Sequence, residues 1–470
     1  MKRILDTLFP IKLQMHIMQL ENYDNKNFIK WILSHFLTRH VPFKNPLIAT
    51  LKVKLLYAIS GIVFALLVIS SYIINGSLQA AILIALVLVS HPFILFVISH
   101  LILFPLENRQ KIGIINATKT KLAKHKNTKK IAITGSYGKS STKEILYHIL
   151  NGMHAVLRTP ESYNTILGIS KVVDLELSKV YEMFICEMAA YKIGEIANLC
   201  LLVEPQYGIL TGISKQHLTR FGGVEKVVKA KFELVDGVSD INNVVFNIDD
   251  KYILKELRSR GIKPKHTYGV SNKSARVRAS DIKFDENGSS FNLIIENKRF
   301  KIQTQLFGFS NVKNILSAVT MALLLKVKPK TIVQRIKLLR QFPNRSFLTR
   351  NNRSIIIDNT YSSNPSGFEE TINTAKCVLG SKVLVTPGLV ELGDKEVKVH
   401  IDLGTKSRGV FDQIVLVGRT HRTNSLARGV GKSTAISYIG DQRNSYTQMV
   451  EKLSNEFDWI FLENDLTQNY

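Results

Sequence analysis

One long uncharged stretch constrains the fold of this chain more than any other feature. Between Lys54 and Glu107 the sequence contains no Asp, Glu, Lys or Arg. The Asn-Gly-Ser triplet at 75–77 divides this stretch into two apolar segments, each long enough for a helix that crosses a bilayer. The pattern predicts a two-helix transmembrane hairpin over residues 54–106. Two buried helices of a soluble protein are the alternative, although soluble cores seldom hold so long an uncharged stretch.

The flanks of the stretch predict its orientation. Basic residues lie on both sides of it and none lies in the turn at 75–77; they are Lys44, Lys52, Lys54, Arg109, Lys111, Lys119 and Lys121. By the positive-inside rule both ends face the cytoplasm, which predicts a multi-pass protein of the cell membrane with its other domains in the cytoplasm. In the second segment His91 precedes Pro92, and this pair predicts a kinked helix. A proton-relay or substrate role for the histidine is the alternative.

Two further regions border the predicted hairpin. Residues 1–53 mix bulky apolar side chains with lysine and arginine, so they form either an amphipathic segment in the headgroup layer or a small helical cap. Residues 107–128 form a basic helical linker that would lie against anionic lipid. The formal net charge of +26 over 470 residues indicates an anionic partner but does not distinguish a lipid surface, a nucleotide and a nucleic acid. Because no nucleic-acid-binding module is recognisable, no nucleic acid partner is expected.

The remainder of the chain has the pattern of an α/β protein. From residue 129 onward short β-rich segments alternate with helical ones, as in a parallel sheet with helices on both faces. A central P-loop-type ATPase domain is predicted over 129–342, with strands at 131–134, 183–187, 207–211 and 244–247 and an antiparallel insertion at 274–307. A Rossmann-like domain is predicted over 343–470, with strands at 355–358, 383–386, 414–417 and 459–462.

A glycine loop follows the first of these strands and leads directly into a helical segment. Glycines let backbone N–H groups approach phosphate oxygens, a lysine adds positive charge, and a serine hydroxyl at the helix start can bind Mg²⁺. The loop is shorter than a strict P-loop, because Ile133 stands where the first glycine would be. The sequence predicts an ATP site formed by Thr134, Gly135, Ser136, Tyr137, Gly138, Lys139, Ser140 and Ser141.

Polar residues also follow two other predicted strands of the central domain. Glu187 ends an otherwise apolar strand, and His217 comes shortly after Thr211, where another strand ends. The carboxyl ends of parallel strands meet at one edge of a sheet, and ligands bind at that edge. We therefore predict that Glu187 is a ligand of the Mg²⁺ that accompanies the nucleotide.

From about residue 105 to the C-terminus, a series of segments resembles the Mur ligase family. Within that family the chain is most similar to the branch that adds D-alanyl-D-alanine to a UDP-muramoyl tripeptide. The segments occur in the family's order; they are 133–141, 159–168, 187–197, 211–222, 230–234, 247–250, 308–314, Arg345, 358–365 and 391–394. No single segment decides the resemblance, which depends on the order of the whole series.

The resemblance implies an ATP-dependent, ADP-forming carbon–nitrogen ligase of peptidoglycan precursor synthesis. ATP would phosphorylate a substrate carboxylate, and an amine would then displace phosphate from the acyl phosphate. The implied partners are a muramoyl-peptide precursor, UDP-linked or lipid-linked, and D-alanyl-D-alanine or another amine. Because peptidoglycan is a bacterial polymer, the membrane partner would be a bacterial membrane. Two Mg²⁺ ions are implied as cofactors.

The resemblance also assigns roles to residues. Lys139 would stabilise charge on the transferred phosphoryl group, and Ser140 and Glu187 would hold one Mg²⁺. His217 and a carbamylated Lys231 would hold the second Mg²⁺, because carbamylation converts the lysine cation into an anion. The remaining assignments are adenine contact by Asn314, nucleotide contact on domain closure by Arg345 and Asp358, acyl-substrate contact by Asn164, and amine contact by Tyr361, Asn364 and Pro365.

Several positions depart from the family pattern. Ser310 stands where the family usually has histidine, Asn344 replaces a glycine, and the last predicted strand runs into Glu463 rather than into Lys-Gly-Ser. The predicted hairpin stands where the family has its UDP-binding domain, which favours an acyl substrate that is met at the membrane. Two alternatives remain open: a Mur-type ligase with a different acyl and amine pair, and a membrane scaffold that keeps the fold without catalysis.

Overall fold

The computed structural model describes most of the chain and divides it into two compact units. The described residues are 10–21, 23–34, 46–160, 163–214, 221–342, 346–351, 353–360, 363–390, 392–440 and 443–463. One unit comprises Met1–Ile114 with Thr467–Tyr470, and the other comprises Ile115–Leu466. Three residues with predicted roles, His217, Arg345 and Tyr361, lie outside the described residues.

The first unit is helical. Its helices are α1 (Ile11–Leu20), α2 (Asn25–Ser34), α3 (Leu51–Asn75), α4 (Leu78–Ser90) and the first part of α5 (Phe93–Lys124). Helix α3 begins where the Thr50 hydroxyl accepts a hydrogen bond from Val53 N at 3.3 Å. It ends at Gly76, whose φ of +60° is a conformation that glycine adopts without strain. Ser77 then caps α4, so the predicted division of the apolar stretch is confirmed.

Among the described residues, α3 alone is by itself long and apolar enough to cross a membrane. Helices α4 and α5 meet this criterion only as a pair, and they are bent by 82° at the break between them. The break falls at His91 and Pro92, because proline lacks the N–H of a helical hydrogen bond and disfavours helical backbone in the preceding residue. The second predicted segment is therefore two helices rather than one kinked helix.

Helices α1 and α2 pack against the apolar helices of the same unit. Met15 of α1, Phe28 of α2, Leu56 of α3, and Phe96 and Leu103 of α5 are all buried in one hydrophobic cluster. The described part of the segment ahead of the uncharged stretch therefore contributes apolar side chains to a small helical core.

A nine-stranded sheet forms the centre of the second unit. Its strands are β1 (Lys129–Thr134), β2 (Val156–Arg158), β3 (Met183–Glu187), β4 (Tyr207–Leu210), β5 (Val244–Asn247), β6 (His266–Gly269), β7 (Val277–Asp285), β8 (Gly288–Ile295) and β9 (Lys298–Thr304). The order is β2-β3-β1-β4-β5-β6-β7-β8-β9. Along this order, neighbouring strands from β2 to β7 are parallel. The pairs β7–β8 and β8–β9 are antiparallel. The predicted antiparallel insertion thus extends the main sheet.

Helices cover both faces of this sheet. They are α6 (Lys139–Leu150), α7 (Ile166–Glu176), α8 (Glu195–Val203), α9 (Val224–Gly237), α10 (Lys251–Ser259), α11 (Phe309–Leu324) and α12 (Pro329–Lys337). Successive residues of β1 point to opposite faces: Ile131 and Ile133 are buried in one hydrophobic cluster and Ala132 in another. This two-sided burial explains the nearly continuous apolar character of the strand.

A second sheet follows, of six strands. They are β10 (Phe347–Asn351), β11 (Ser354–Asn359), β12 (Lys382–Thr386), β13 (Gln413–Val417), β14 (Ala435–Ile439) and β15 (Trp459–Glu463). The order is β10-β11-β15-β12-β13-β14, parallel except for β10. Its helices are α13 (Pro365–Ala375), α14 (Glu396–Ser407), α15 (His421–Val430) and α16 (Arg443–Glu456). The predicted fold class, α/β with two successive parallel sheets, is confirmed.

Candidate nucleotide and metal site

The glycine loop connects β1 to α6 at the carboxyl edge of the central sheet. Ser136 N donates a hydrogen bond to Gly212 O at 2.7 Å, which holds the loop against the end of the neighbouring strand β4. Helix α6 begins directly after the loop, so its first backbone N–H groups have no partner within the helix. These N–H groups and the helix dipole make this point suited to phosphate.

Two glycines of the loop are required by packing. A Cβ atom on Gly135 would lie 2.0 Å from Thr211 Oγ1. A Cβ atom on Gly138 would lie 2.5 Å from Asn314 Oδ1, and Gly138 also has φ +78°. Glycine is therefore needed here to let other elements close onto the loop.

Two polar side chains of α6 lie at the loop. Lys139 Nζ donates to Gly135 O at 2.9 Å, so the ammonium folds back over the loop. The next residue, Ser140, is hydrogen-bonded to the carboxylate of Glu187. The lysine thus lies where a phosphate would bind, and the serine lies beside the predicted metal ligand.

Glu187 ends β3, next to β1, and its side chain is 2% exposed. Asn164 Nδ2 donates to Oε1 at 3.0 Å, and Lys143 Nζ lies 3.4 Å from Oε2. Burial raises the pKa of the Glu187 carboxyl, whereas Lys139 and Lys143 lower it. Hydrogen bonds to Asn164 and Ser140 lower this pKa further, and the net result is below the ordinary value. Glu187 is therefore a buried anion with a fixed orientation.

The donor set fits magnesium. Glu187 and Ser140 provide one carboxylate and one hydroxyl side by side. Within the described residues there is no group of three or more His, Cys, Asp or Glu that could hold a metal by itself. Mg²⁺ is usually held in this way, by one or two carboxylates with substrate phosphates and waters completing an octahedron.

Lys231 on α9 is the second unusual charge of this region. Its side chain is buried, and burial together with the nearby Lys139 ammonium lowers its pKa to about 7. The carboxylates of Glu195, Glu233 and Glu187 oppose this shift. Near neutral pH a large fraction of Lys231 is therefore an uncharged amine.

Asn314 on α11 reaches the loop from another direction. The Thr142 hydroxyl of α6 donates to Asn314 Oδ1 at 3.4 Å, and Gly138 lies against the same oxygen. The structure therefore brings the phosphate loop, Glu187, Asn164, Lys231 and Asn314 together at one edge of the sheet.

Comparison with known proteins agrees with this geometry. A family model described as "Mur ligase middle domain" matches residues 133–322, which contain the loop, the buried carboxylate and the buried lysine. Residues 133–322 are a Mur ligase middle domain. The sequence-based expectation of a Mur-type fold is thus confirmed.

Curated relatives of this Mur ligase domain share the name UDP-N-acetylmuramoyl-tripeptide–D-alanyl-D-alanine ligase. The Escherichia coli protein is 26% identical over 65% of the chain and 68% of its own length. The Buchnera aphidicola (Acyrthosiphon pisum) protein is 29% identical over 63% and 65%. The Bacillus subtilis protein is 27% identical over 62% and 63%. The chain therefore spans about two thirds of the length of these relatives.

Solved structures show the same fold. MurF ligase from Thermotoga maritima, in complex with ADP, matches with a TM-score of 0.68 and 21% identity, over 76% of this chain and 80% of that one. MurF from Acinetobacter baumannii matches with a TM-score of 0.67 and 24% identity, over 75% and 77%. The likeness extends beyond the Mur ligase middle domain into the second sheet.

Of the remaining predicted residues, the three that the structure describes, Asp358, Asn364 and Pro365, lie at the carboxyl edge of the second sheet. Asp358 lies near the end of β11, and its Oδ1 accepts hydrogen bonds from Thr360 N at 3.0 Å and Thr360 Oγ1 at 2.6 Å. Asn364 is buried and caps α13, because its Oδ1 accepts from the N–H groups of Ser366 and Gly367, both at 3.1 Å. Pro365 is the first residue of that helix.

Glu463, the residue that departs from the family's Lys-Gly-Ser, is fully buried at the end of β15. Its carboxylate accepts hydrogen bonds from Asn359 Nδ2 at 2.8 Å and Thr371 Oγ1 at 2.7 Å, and also from the Ser363 hydroxyl. Burial raises the pKa of this carboxyl. The Glu463 carboxylate therefore connects β15 to residues on both sides of Asn364 through hydrogen bonds.

Sequence reasoning missed two features beside the candidate site. One is Lys143, whose spacing of four residues from Lys139 on α6 was a usable signal for the same helix face. The other joins the two sheets: Glu370 of α13 accepts a hydrogen bond from the Ser310 hydroxyl and pairs with Lys313 at 2.8 Å. No signal in the sequence joins these distant positions.

Proposed function

We propose that this chain is an ATP-dependent, ADP-forming ligase that forms an amide bond through an acyl phosphate. One observation carries the proposal: a phosphate loop, a buried carboxylate and a buried lysine with a pKa of about 7 meet at one sheet edge. A P-loop protein that only binds nucleotide has no need of the buried lysine. The matched Mur ligase middle domain supports the same reaction class.

The residues of the site account for the chemistry of both steps. The backbone N–H groups at the start of α6 and the Lys139 ammonium stabilise negative charge as a substrate carboxylate oxygen attacks the γ-phosphorus and ADP leaves. In the second step the amine nitrogen bonds to the acyl carbon, the bond from that carbon to the phosphate oxygen breaks, and the amine loses a proton. Asn164, which donates a hydrogen bond to Glu187, would orient the acyl group.

Ser140 and Glu187 would hold one Mg²⁺, which supplies charge neutralisation between the nucleotide phosphates. His217 and a carbamylated Lys231 would hold a second. An uncharged lysine amine adds to CO₂ and loses a proton to give a carbamate, and the pKa of about 7 favours this reaction near neutral pH. We expect a carbamate carbon signal from Lys231 in ¹³C NMR after addition of ¹³C-bicarbonate, and none from Lys231→Met.

For the substrates we propose D-alanyl-D-alanine, or a similar amine, and a muramoyl-peptide carboxylate. The support is the shared name of the curated relatives. The predicted hairpin favours an acyl substrate met at the membrane, so we propose a lipid-linked precursor ahead of a UDP-linked one. Asp358, Arg345 and Asn314 would contact the nucleotide, and Tyr361, Asn364 and Pro365 would contact the amine.

Phosphate release from ATP tests the reaction and the substrate together. The full chain is assayed with undecaprenyl-linked and with UDP-linked muramoyl tripeptide, each with D-alanyl-D-alanine, and Lys139→Ala provides the inactive control. We expect faster turnover of the lipid-linked substrate. Equal turnover of the UDP-linked substrate by a chain that lacks residues 1–106 would contradict the membrane part of the proposal.

The second candidate is a ligase of the same chemistry with another amine. It is favoured by Glu463, a buried acid where the family has Lys-Gly-Ser. A screen of amino acids and dipeptides with phosphate release as the readout separates the two candidates. A non-catalytic scaffold would bind no ATP and release no phosphate with any substrate.

A further inference from the structure

We propose that Lys143 makes metal binding at Glu187 conditional on the nucleotide. The buried ammonium opposes a free divalent cation, and the site accepts the metal only when phosphate oxygens arrive with it. This inference rests on the proposed function, because it takes Glu187 as a metal ligand.

The position of Lys143 is unusual for a lysine. It lies one helical turn beyond Lys139 on α6, and its side chain is fully buried. Its Nζ is 3.4 Å from Glu187 Oε2 and 3.9 Å from Glu144 Oε1. A lysine is rarely buried unless it is paired, so the ammonium is held here by these two carboxylates.

Glu144 does not neutralise Lys143 by itself. Its Oε2 accepts a hydrogen bond from Arg158 Nε at 2.8 Å, and the Arg158 guanidinium also lies 3.7 Å from the centre of the Tyr147 ring. Glu144 is therefore shared between two cations, and it is farther from Lys143 than Glu187 is. The negative charge of Glu187 is consequently largely compensated by the Lys143 ammonium before a metal binds.

The surroundings of Glu187 are positive before any ligand binds. Lys139 and Lys143 both act on its carboxylate, and the N-terminal end of α6 adds the positive end of a helix dipole. A divalent cation that arrives alone at Glu187 meets two ammonium groups beside one carboxylate, because Glu144, the other carboxylate near Lys143, is also paired with Arg158. A triphosphate reverses this balance, because its oxygens supply the missing negative charge and complete the magnesium octahedron.

Orientation of the carboxylate does not require a charge at position 143. Asn164 Nδ2 already fixes Glu187 Oε1 at 3.0 Å. The structure therefore assigns Lys143 an electrostatic role, in which it acts on the metal through the charge of Glu187 rather than through the orientation of Glu187. After phosphoryl transfer, the same ammonium would favour departure of the metal together with ADP.

A titration with Mn²⁺, followed by the EPR signal of the free ion, tests this in the full chain. The measurement needs no turnover. Without nucleotide, the wild-type chain is expected to bind Mn²⁺ weakly at this site, and a non-hydrolysable ATP analogue should tighten binding by about a hundredfold. If the wild-type chain binds Mn²⁺ tightly without nucleotide, and Glu187→Gln abolishes that binding, the proposal is overturned. This outcome requires no variant of Lys143.

Lys143→Met removes the charge and keeps the length of the side chain. We expect Lys143→Met to bind Mn²⁺ about tenfold more tightly than the wild-type chain in the absence of nucleotide. Lys143→Arg keeps the charge and should bind Mn²⁺ as the wild-type chain does. Lys143→Met combined with Glu187→Gln should lose the tighter binding. Lys130→Met is the matched control, because Lys130 is also buried, lies 3.9 Å from Glu204, and is the second residue of β1, at the far end of the same strand–loop–helix unit. Unchanged Mn²⁺ affinity in a folded Lys143→Met chain would contradict the proposal.

These outcomes are distinct from failure of the proposed function. A chain that binds Mn²⁺ as described, yet releases no phosphate with any substrate, would reject the ligase and keep the role of Lys143. If thermal unfolding shows that Lys143→Met does not fold, Lys143→Gln replaces it, and the wild-type titration still decides.

Discussion

At the residue scale, the site depends on buried charges whose neighbours decide their protonation. Glu187 is almost completely buried and is still an anion, because two ammonium groups and two hydrogen bonds outweigh the cost of burial. Lys231 is equally buried, but the Lys139 ammonium adds to the cost of its charge. The same edge of one sheet therefore holds an acid that stays ionised and a base that loses its proton readily.

The lysine predicts a pH dependence of stability. The pKa of Lys231 is about 7 in the folded chain, whereas the ordinary pKa of a lysine in water is 10.5. Between these values the unfolded chain binds more protons, so the contribution of Lys231 makes the free energy of unfolding rise with pH. In CO₂-free buffer, Lys231→Met should stabilise the fold by roughly 4 kcal/mol at pH 7 and by much less near pH 10. Denaturant unfolding at several pH values measures this, and a difference that does not change with pH would contradict it.

At the element scale, the loop between β1 and α6 has little steric freedom. Gly138→Ala is expected to place a Cβ against Asn314 and to weaken ATP binding by at least about tenfold, because the loop or α11 must move. Gly194→Ala is the matched control, since Gly194 has φ +92° and no atom within 4 Å of the added Cβ. Calorimetric titration with ATP and thermal unfolding separate the two effects. Equal loss of ATP binding in both variants would show that backbone strain alone is responsible.

The contact of α11 with α13 is a second feature of this scale. Glu370 is nearly buried and holds both Ser310 and Lys313. Glu370→Gln keeps the shape but leaves Lys313 without its anionic partner, so we expect a loss of about 3 kcal/mol in stability. If Glu370→Gln increases backbone hydrogen exchange, relative to the wild-type chain, more in α13 than in β1, the effect is localised to the contact. An equal increase in exchange in both elements would instead indicate general destabilisation.

Elements with strong local signals could be predicted from the sequence, and contacts between distant elements could not. Ile131 and Ile133 mark a buried strand, and the loop after them demands its glycines, so this unit was predictable from residues 129–141 alone. The position of Glu187 at the carboxyl edge of the sheet was predictable, because this residue ends an apolar strand. Lys231 carries no local signal, and only the resemblance pointed to it. The pairing of Ser310 with Glu370 arises from packing between two sheets, which no periodicity encodes.

At the scale of the whole molecule, the chain combines a helical unit with an α/β unit that contains the candidate site. Helix α3 by itself, and α4 with α5 as a bent pair, are the candidate spans among the described residues. We expect the full chain to remain in the membrane pellet after carbonate extraction, and a chain that lacks residues 1–106 to be released. Immunoblotting of both fractions is the measurement. Release of the full chain by carbonate would leave the uncharged stretch as part of a helical core instead of a hairpin in the bilayer.

The position of β15 has a consequence for synthesis on the ribosome. This strand is made last of the six in its sheet, yet it lies between β11 and β12. Until residue 463 has left the exit tunnel, β11 and β12 each expose a long unpaired edge that can join other chains. The central sheet can close much earlier, because all nine of its strands precede residue 305. Folding during translation is therefore expected to proceed in two stages, and the second sheet depends on protection by chaperones until its last strand arrives.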